Sequence, residues 1–167
     1  MKNVAILALT LVACGGAKPV PGGGSAEPAP EWVRQGTGAF NTEAGKRIEG
    51  VGVVTGMRDQ KIRRQASDSK AKDQLAQTMD AFYQALTKIS EITKDNLGAE
   101  IATIGKLAVE QSAGIRDHWV SSEGTESSLD VLDLAAFKAA LQRVDGDDRV
   151  KREMANNADR AFDQLAR

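Results

Sequence analysis

The sequence predicts an α+β fold, a small antiparallel sheet packed against a long amphipathic helix and further helices, preceded by a leader and a flexible tether. Three observations carry that expectation. Apolar residues alternate from Ile48 to Val54 and again across 115–134, they recur at helical spacing from Leu75 to Ile89, and two glycines occupy alternate positions of the first strand. With 167 residues, 41% hydrophobic and 27% charged, the chain has the composition of a folded domain and the length for one core.

From Phe40 to Thr55 the pattern is strand-like, with Glu43-Ala44-Gly45-Lys46 as a turn and Ile48 to Val54 as the stronger strand. Alternation places Val51 and Val53 on one face. Gly50 and Gly52 take the other, where the missing side chains admit another backbone. The covering helix follows at once, from Arg58 to about Thr93, with its apolar stripe at Leu75, Met79, Phe82, Leu86 and Ile89. Upstream, the stripe is expected to continue through Ile62, Ala66 and Ser69.

A second helix is expected from Asn96 to about Ser112, with Leu97, Ile101, Ile104 and Ala108 inward. Gly98 and Gly105 weaken it, each by up to about 1 kcal/mol relative to alanine. Two strands, Ile115–Ser121 and Ser128–Leu134, flank Glu123-Gly124-Thr125-Glu126 and read as a hairpin. Its inward set is Ile115 and Trp119 on the first strand, with either Leu132 and Leu134 or Leu129 and Val131 on the second. Ala135 to Val144 is helical, and Gly146 breaks it. Asp147 or Asp148 then caps a last helix carrying Val150, Met154, Ala158, Ala161, Phe162 and Leu165.

The N-terminus has a different character. Lys2 followed by the mostly apolar run Val4 to Ala13 reads as a compressed secretory signal, too short at about 15 Å of helix to span a bilayer permanently. The run ends in Leu11-Val12-Ala13-Cys14, the bacterial lipobox pattern. Small side chains fit the peptidase beside the scissile bond, so Leu11, Val12 and Ala13 are the cleavage recognition residues and the Cys14 thiol is the lipidation site. Cys14 is the only cysteine, which excludes an intrachain disulfide and a thiolate zinc site. Two or three acyl chains, at about 0.8 kcal/mol per buried methylene, would hold the protein on a membrane without crossing it. In Gram-negative lipoproteins an aspartate after the acylated cysteine usually retains the protein in the inner membrane; the resemblance to them, with Gly15 at that position, implies the outer membrane, with the domain facing the periplasm or the cell surface. Residues 15–30 hold all four prolines and read as a tether of about 20 to 50 Å. The expected organisation is therefore a signal peptide at 1–13, the lipidated cysteine and tether at 14–30, an α+β domain at 31–145 and a C-terminal amphipathic helix at 146–167.

Lysine and arginine number 22 against 23 acidic residues, so no electrostatic attraction to nucleic acid is expected. The glycines from Gly50 to Gly56 ahead of a helix bring a dinucleotide fingerprint to mind. Their spacing is one residue too long and they lie within the strand, so close strand–helix packing is the expected reading. His118 is the only histidine, and its neighbour Asp117 points to the opposite face of a strand and does not orient it; a partly exposed strand histidine is expected. No HExxH, GxSxG or cysteine–histidine pairing occurs. No catalytic residue, cofactor or metal ligand is assigned.

Several of these features coincide: the lipobox, the Pro/Gly tether, Pro30-Glu31-Trp32-Val33 at the domain entrance, Gly50-Val51-Gly52 before a helix rich in alanine and glutamine, and Ile115-Arg116-Asp117-His118-Trp119 ahead of Leu129-Asp130-Val131-Leu132-Asp133-Leu134. Over about residues 30 to 145 the chain resembles the small bacterial lipoprotein family typified by the twenty-kilodalton membrane-associated lipoprotein, the Lpp-twenty type. The resemblance implies an antiparallel sheet covered by helices, an outer-membrane or surface location, a link in some members to flagellar assembly, and no enzymatic residues to carry over. The chain departs from that pattern at Asp130, at Asp133 and in its added C-terminal helix.

Arg58, Lys61, Arg63, Arg64, Lys70 and Lys72 make the start of the long helix basic. Arg58, Lys61 and Arg64, together with Val150, Met154 and Phe162 of the last helix, form the candidate interaction surface. For the basic cluster the alternatives are a solvated face or contact with anionic headgroups or a cell-wall polymer. For the last helix they are packing on the domain or docking on a partner. The expected role is a non-enzymatic interaction or structural module of an envelope or flagellar-type assembly, bound to the membrane through Cys14 and to an envelope protein. The competing readings are an envelope enzyme, or an activator or accessory of a peptidoglycan-processing enzyme, and a carrier of a small apolar ligand held between helix and sheet.

Overall fold

The computed structural model describes residues 28–93 and 95–166. The expected leader, Cys14 and the expected tether up to residue 27 lie outside the described residues. The described chain opens with a short helix α1 (Glu31–Gln35), which ends at Gly36 with φ 72°. Five residues are too few to show a helical period, which is why the sequence did not announce this element. Strands β1 (Gly38–Thr42) and β2 (Gly45–Val54) form the first hairpin, with Gly45 at φ 122°. The second hairpin is β3 (Ala113–Val120) and β4 (Glu126–Asp133). The strands lie in the order β1-β2-β4-β3, all antiparallel, so the two hairpins join through β2 and β4. This is the α+β architecture that the patterning predicted.

Helix α2 (Gln60–Ile89) lies across this sheet, and Asp59 caps it by accepting from the Ile62 N–H at 2.9 Å. Gly50 and Gly52 form the trench it sits in. A Cβ on Gly50 would overlap the Ala71 carbonyl oxygen and the Leu75 nitrogen, and one on Gly52 would overlap the Ser67 oxygen and the Ala71 nitrogen. Backbone rests on backbone there, as the alternating glycines implied. The buried stripe entering the trench is Arg63, Ser67 and Ala71, which corrects the expected Ile62, Ala66 and Ser69; Ile62 is 55% exposed. The trench selects the residues one helical turn apart upstream of Leu75, and all of them are small except Arg63.

The apolar core lies beyond the trench. Helix α3 (Leu97–Ser112) buries Leu97, Ile101, Ile104 and Ala108 as expected, and Gly105 lets the Tyr83 ring approach. Phe82 meets Phe137 edge to face at 5.6 Å, joining α2 to α4 (Leu134–Leu141). Gly146, at φ 150° and close over Ile104, turns the chain into α5 (Asp148–Asp163). Asp147 caps α5, its Oδ1 accepting from the N–H groups of Arg149 and Val150 at 2.8 and 3.3 Å. Val150, Met154, Ala158, Ala161 and Phe162 join the same core as α2, α3 and α4. Lys46 fastens this helix to β2: its Nζ lies 2.6 Å from Asp163, 3.3 Å from Asp159 and 5.3 Å from the Phe162 ring centroid.

One strand differs from its sequence reading. A bulge between Ile115 and Asp117 inserts Arg116 against β4, so Ile115 and His118 face α2 while Trp119 turns to the outer side. The expected pairing of Ile115 with Trp119 on one face is thereby overturned, because a residue added to one strand reverses the alternation beyond it. On β4, Leu132 points to the helices, Leu129 and Val131 lie on the outer face, and Leu134 begins α4. Trp32 of α1 donates its indole N–H to Asp117 Oδ2 at 3.0 Å and ties that helix to the outer face.

Candidate functional site

On its helix side β4 presents Glu126, Ser128 and Asp130, three polar residues at alternate positions and all buried. Glu126 has no solvent exposure. Its Oε2 accepts from Arg63 Nε at 2.9 Å and its Oε1 from Arg64 Nε at 3.0 Å. Arg63 also donates through Nη1 to the Met57 carbonyl at 3.1 Å, so the buried carboxylate fixes the β2–α2 connection from beneath.

That connection displays an amphipathic surface. Val53 is 44% exposed, Met57 41% and Ile62 55%, and only Leu107 joins them as an exposed large apolar side chain among the described residues. Arg58 and Lys61 are exposed beside them. Of the residues expected to form an interaction surface, these two are accessible, and Arg64 is half exposed with its guanidinium held by Glu126. The other half of that expectation is corrected. Val150, Met154 and Phe162 are 1%, 1% and 0% exposed, because α5 spends its apolar stripe on the domain's own core.

His118 Nε2 lies 2.7 Å from Asp68 Oδ1, an acid on α2 fifty residues away in sequence, while the Asp117 carboxylate serves Trp32 and the His118 backbone N–H on the outer side. The same Asp68 oxygen accepts from Ser128 Oγ at 2.6 Å, and Ser128 meets Ser67 Oγ at 2.7 Å. A serine, a histidine and an aspartate thus converge, but the carboxylate stands between the imidazole and the hydroxyl. A nucleophile needs the base in contact with its own proton, and here the hydroxyl proton goes to the acid. The His118 side chain is 25% exposed, the partly exposed strand histidine that was expected.

An open cleft of about 510 Å³ lies between one face of α2, the C-terminal half of α3 and the start of β3. Its apolar lining comes from Leu75, Met79, Val109, Ala113 and Ile115. Asp130 and Tyr83 also line it, at 3% and 4% exposure, and Asp130 Oδ1 and the Tyr83 hydroxyl have no hydrogen-bond partner among the described residues. Burial pushes the Asp130 carboxyl above its ordinary range, against the pull of Lys72 and of the Val131 N–H. Burial, with the Asp80 charge, likewise pushes the Tyr83 phenol upward. Asp130 was legible in the sequence only as a departure from a strand pattern, and Tyr83 only as an aromatic residue beside the Phe82 position of the stripe.

No cluster of three or more histidine, cysteine or acidic groups able to hold a metal occurs among the described residues, and no helix there is long and apolar enough to cross a membrane. Comparison of the chain with protein-family models and with curated proteins finds no match.

Proposed function

We propose that this chain is a lipid-anchored envelope lipoprotein, acylated at Cys14 and located at the outer membrane, whose domain acts by non-covalent contact with an acidic face of an envelope protein. The contact surface in this reading is the β2–α2 end, where Arg58 and Lys61 flank the exposed Met57 and Ile62. The single observation that supports it is the coincidence of exposed apolar side chains with accessible cations on a rigidly held connection. Charge complementarity then selects an acidic partner surface, and the tether of residues 15–30 supplies the reach. The lipobox pattern and the resemblance to the Lpp-twenty type support the anchor and the class in this reading.

Two experiments test the reading. Cys14→Ala is expected to leave an uncleaved or soluble form; unchanged mass and membrane association would overturn the anchor. A photo-crosslinker at Met57 in intact envelopes is expected to capture one protein, and Arg58→Glu with Lys61→Glu is expected to abolish that adduct. Capture of lipid alone would overturn the protein contact in favour of an anionic bilayer, and an adduct unaffected by charge reversal would overturn the role of the cations.

A further inference from the structure

The cleft between α2 and α3 carries an inference independent of the β2–α2 surface. Its two buried polar groups stand apart along the cleft. Asp130 is paired with Gly50, which lies under Ala71 and Leu75, whereas Tyr83 is eight residues beyond Leu75 on the same helix, about 12 Å away at the helical rise. Apolar side chains fill the distance between them, with Leu75 and Met79 from α2 and Val109 from α3. Each polar group has an oxygen that no atom of the described residues satisfies, and native structures leave such atoms orphaned only rarely. The Val131 N–H holds one side of the Asp130 carboxylate and leaves Oδ1 as the oxygen without a partner among the described residues. The charged residues on the walls are Asp80, Glu110 and Asp130 against Lys72 and Lys106, an excess of one negative charge.

We propose that this cleft binds an elongated amine, a molecule with a protonated amino group at one end for Asp130, an apolar chain or ring over Leu75 and Met79, and a hydroxyl or carbonyl at the far end for Tyr83. An ammonium donates to the orphaned carboxylate oxygen and neutralises it, and the phenol serves either a donor or an acceptor. The volume lies within the usual range for small-molecule sites, about 300 to 1,000 Å³. The inference is one of binding.

The test uses the full chain as expressed, in zwitterionic nanodiscs, and 6-amino-1-hexanol as the probe, with 1-hexanol and hexanoate as comparators, read by calorimetric titration. Titration of protein-free discs of the same composition subtracts uptake by the lipid. The amino alcohol is expected to bind wild type at least tenfold more tightly than either comparator, to lose at least tenfold on Asp130→Asn and to lose about threefold on Tyr83→Phe. Thermal melting of both variants establishes that they are folded. Equal binding by wild type and Asp130→Asn, tighter binding of hexanoate, or no binding of the amino alcohol at 10 mM, on the order of the weakest affinities worth a specific site, would each overturn the proposal.

Discussion

Arg63 Nε donates to Glu126 Oε2 at 2.9 Å, and the carboxylate it meets has no exposure to solvent. The contact joins the first turn of the long helix to the first residue of a central strand. Through the second donor of Arg63, on the Met57 carbonyl, it also holds the loop that presents the exposed apolar side chains. Core and surface are therefore coupled at one guanidinium.

Removal of the acid leaves Arg63, itself only 9% exposed, as a buried cation with a single carbonyl partner. Glu126→Ala is expected to cost about 3 to 5 kcal/mol in urea unfolding, and Glu126→Gln, which keeps an acceptor, less. A cost below about 1 kcal/mol for the alanine variant would show that the pair does not hold this end of α2.

The glycine trench makes a sharper demand. Gly52→Ala drives a methyl into the Ser67 and Ala71 backbone, which has no rotamer to give way, and is expected to destabilise by about 2 kcal/mol or more. Gly114→Ala is the control, because nothing lies within 4 Å of the added carbon; its effect should stay within about 0.5 kcal/mol. Equal effects at both positions would contradict the packing of α2 described above.

Trp119 and Phe137 separate the outer face from the core. Phe137 is fully buried against Phe82, and Phe137→Ala is expected to cost about 3 to 5 kcal/mol. Trp119, half-buried beyond the bulge, is expected to cost about 1 to 2 kcal/mol on truncation to alanine, by the smaller apolar area it withdraws from water. Circular dichroism in denaturant orders the two, and the reverse order would place the bulge elsewhere.

The Asp130 carboxyl titrates above its ordinary 3.8 in the folded ligand-free protein, chiefly through burial, with Lys72 and Arg116 lowering it and Asp68 raising it further. Because the folded state holds this proton more tightly, the group contributes stability when protonated and loses it as pH rises through the folded value. Asp130→Asn is therefore expected to raise the melting temperature at pH 7. The gain should shrink on acidification through the window between the raised value and 3.8, and vanish below it. A gain that is the same at pH 7 and below that window would show that ionisation of Asp130 is not the cause. Asp159, held below its ordinary range first by Lys138, acts in the opposite direction: its stabilisation is present at neutral pH and is lost as pH falls through the lowered value.

Much of the architecture was readable because local chemistry and the global fold agree. Alternating Gly50 and Gly52 announced a trench, the stripe from Leu75 to Leu86 announced its cover, and an aspartate after Gly146 announced a cap. The candidate sites were less readable. Asp68 reaches His118, and Arg63 reaches Glu126, across fifty and sixty-three residues of chain, and no short-range pattern reports such partners. For the amphipathic α5 the sequence favoured self-packing and left docking open, since an apolar stripe carries no mark of what covers it.

What the amino-acid order determined alone is whatever repeats within a turn or a strand: helices, hairpins, caps, the lipobox signature and the glycines that bring two backbones together. The tertiary structure decided the rest, namely which side Trp119 takes after one inserted residue, which acids become buried, and that α2, α3 and β3 leave a cleft between them whose lining includes a carboxylate oxygen and a phenol without partners among the described residues. The division has a physical cause. Propensity and periodicity act over a few residues, whereas burial and pairing depend on distances that exist only once distant segments have closed around one core.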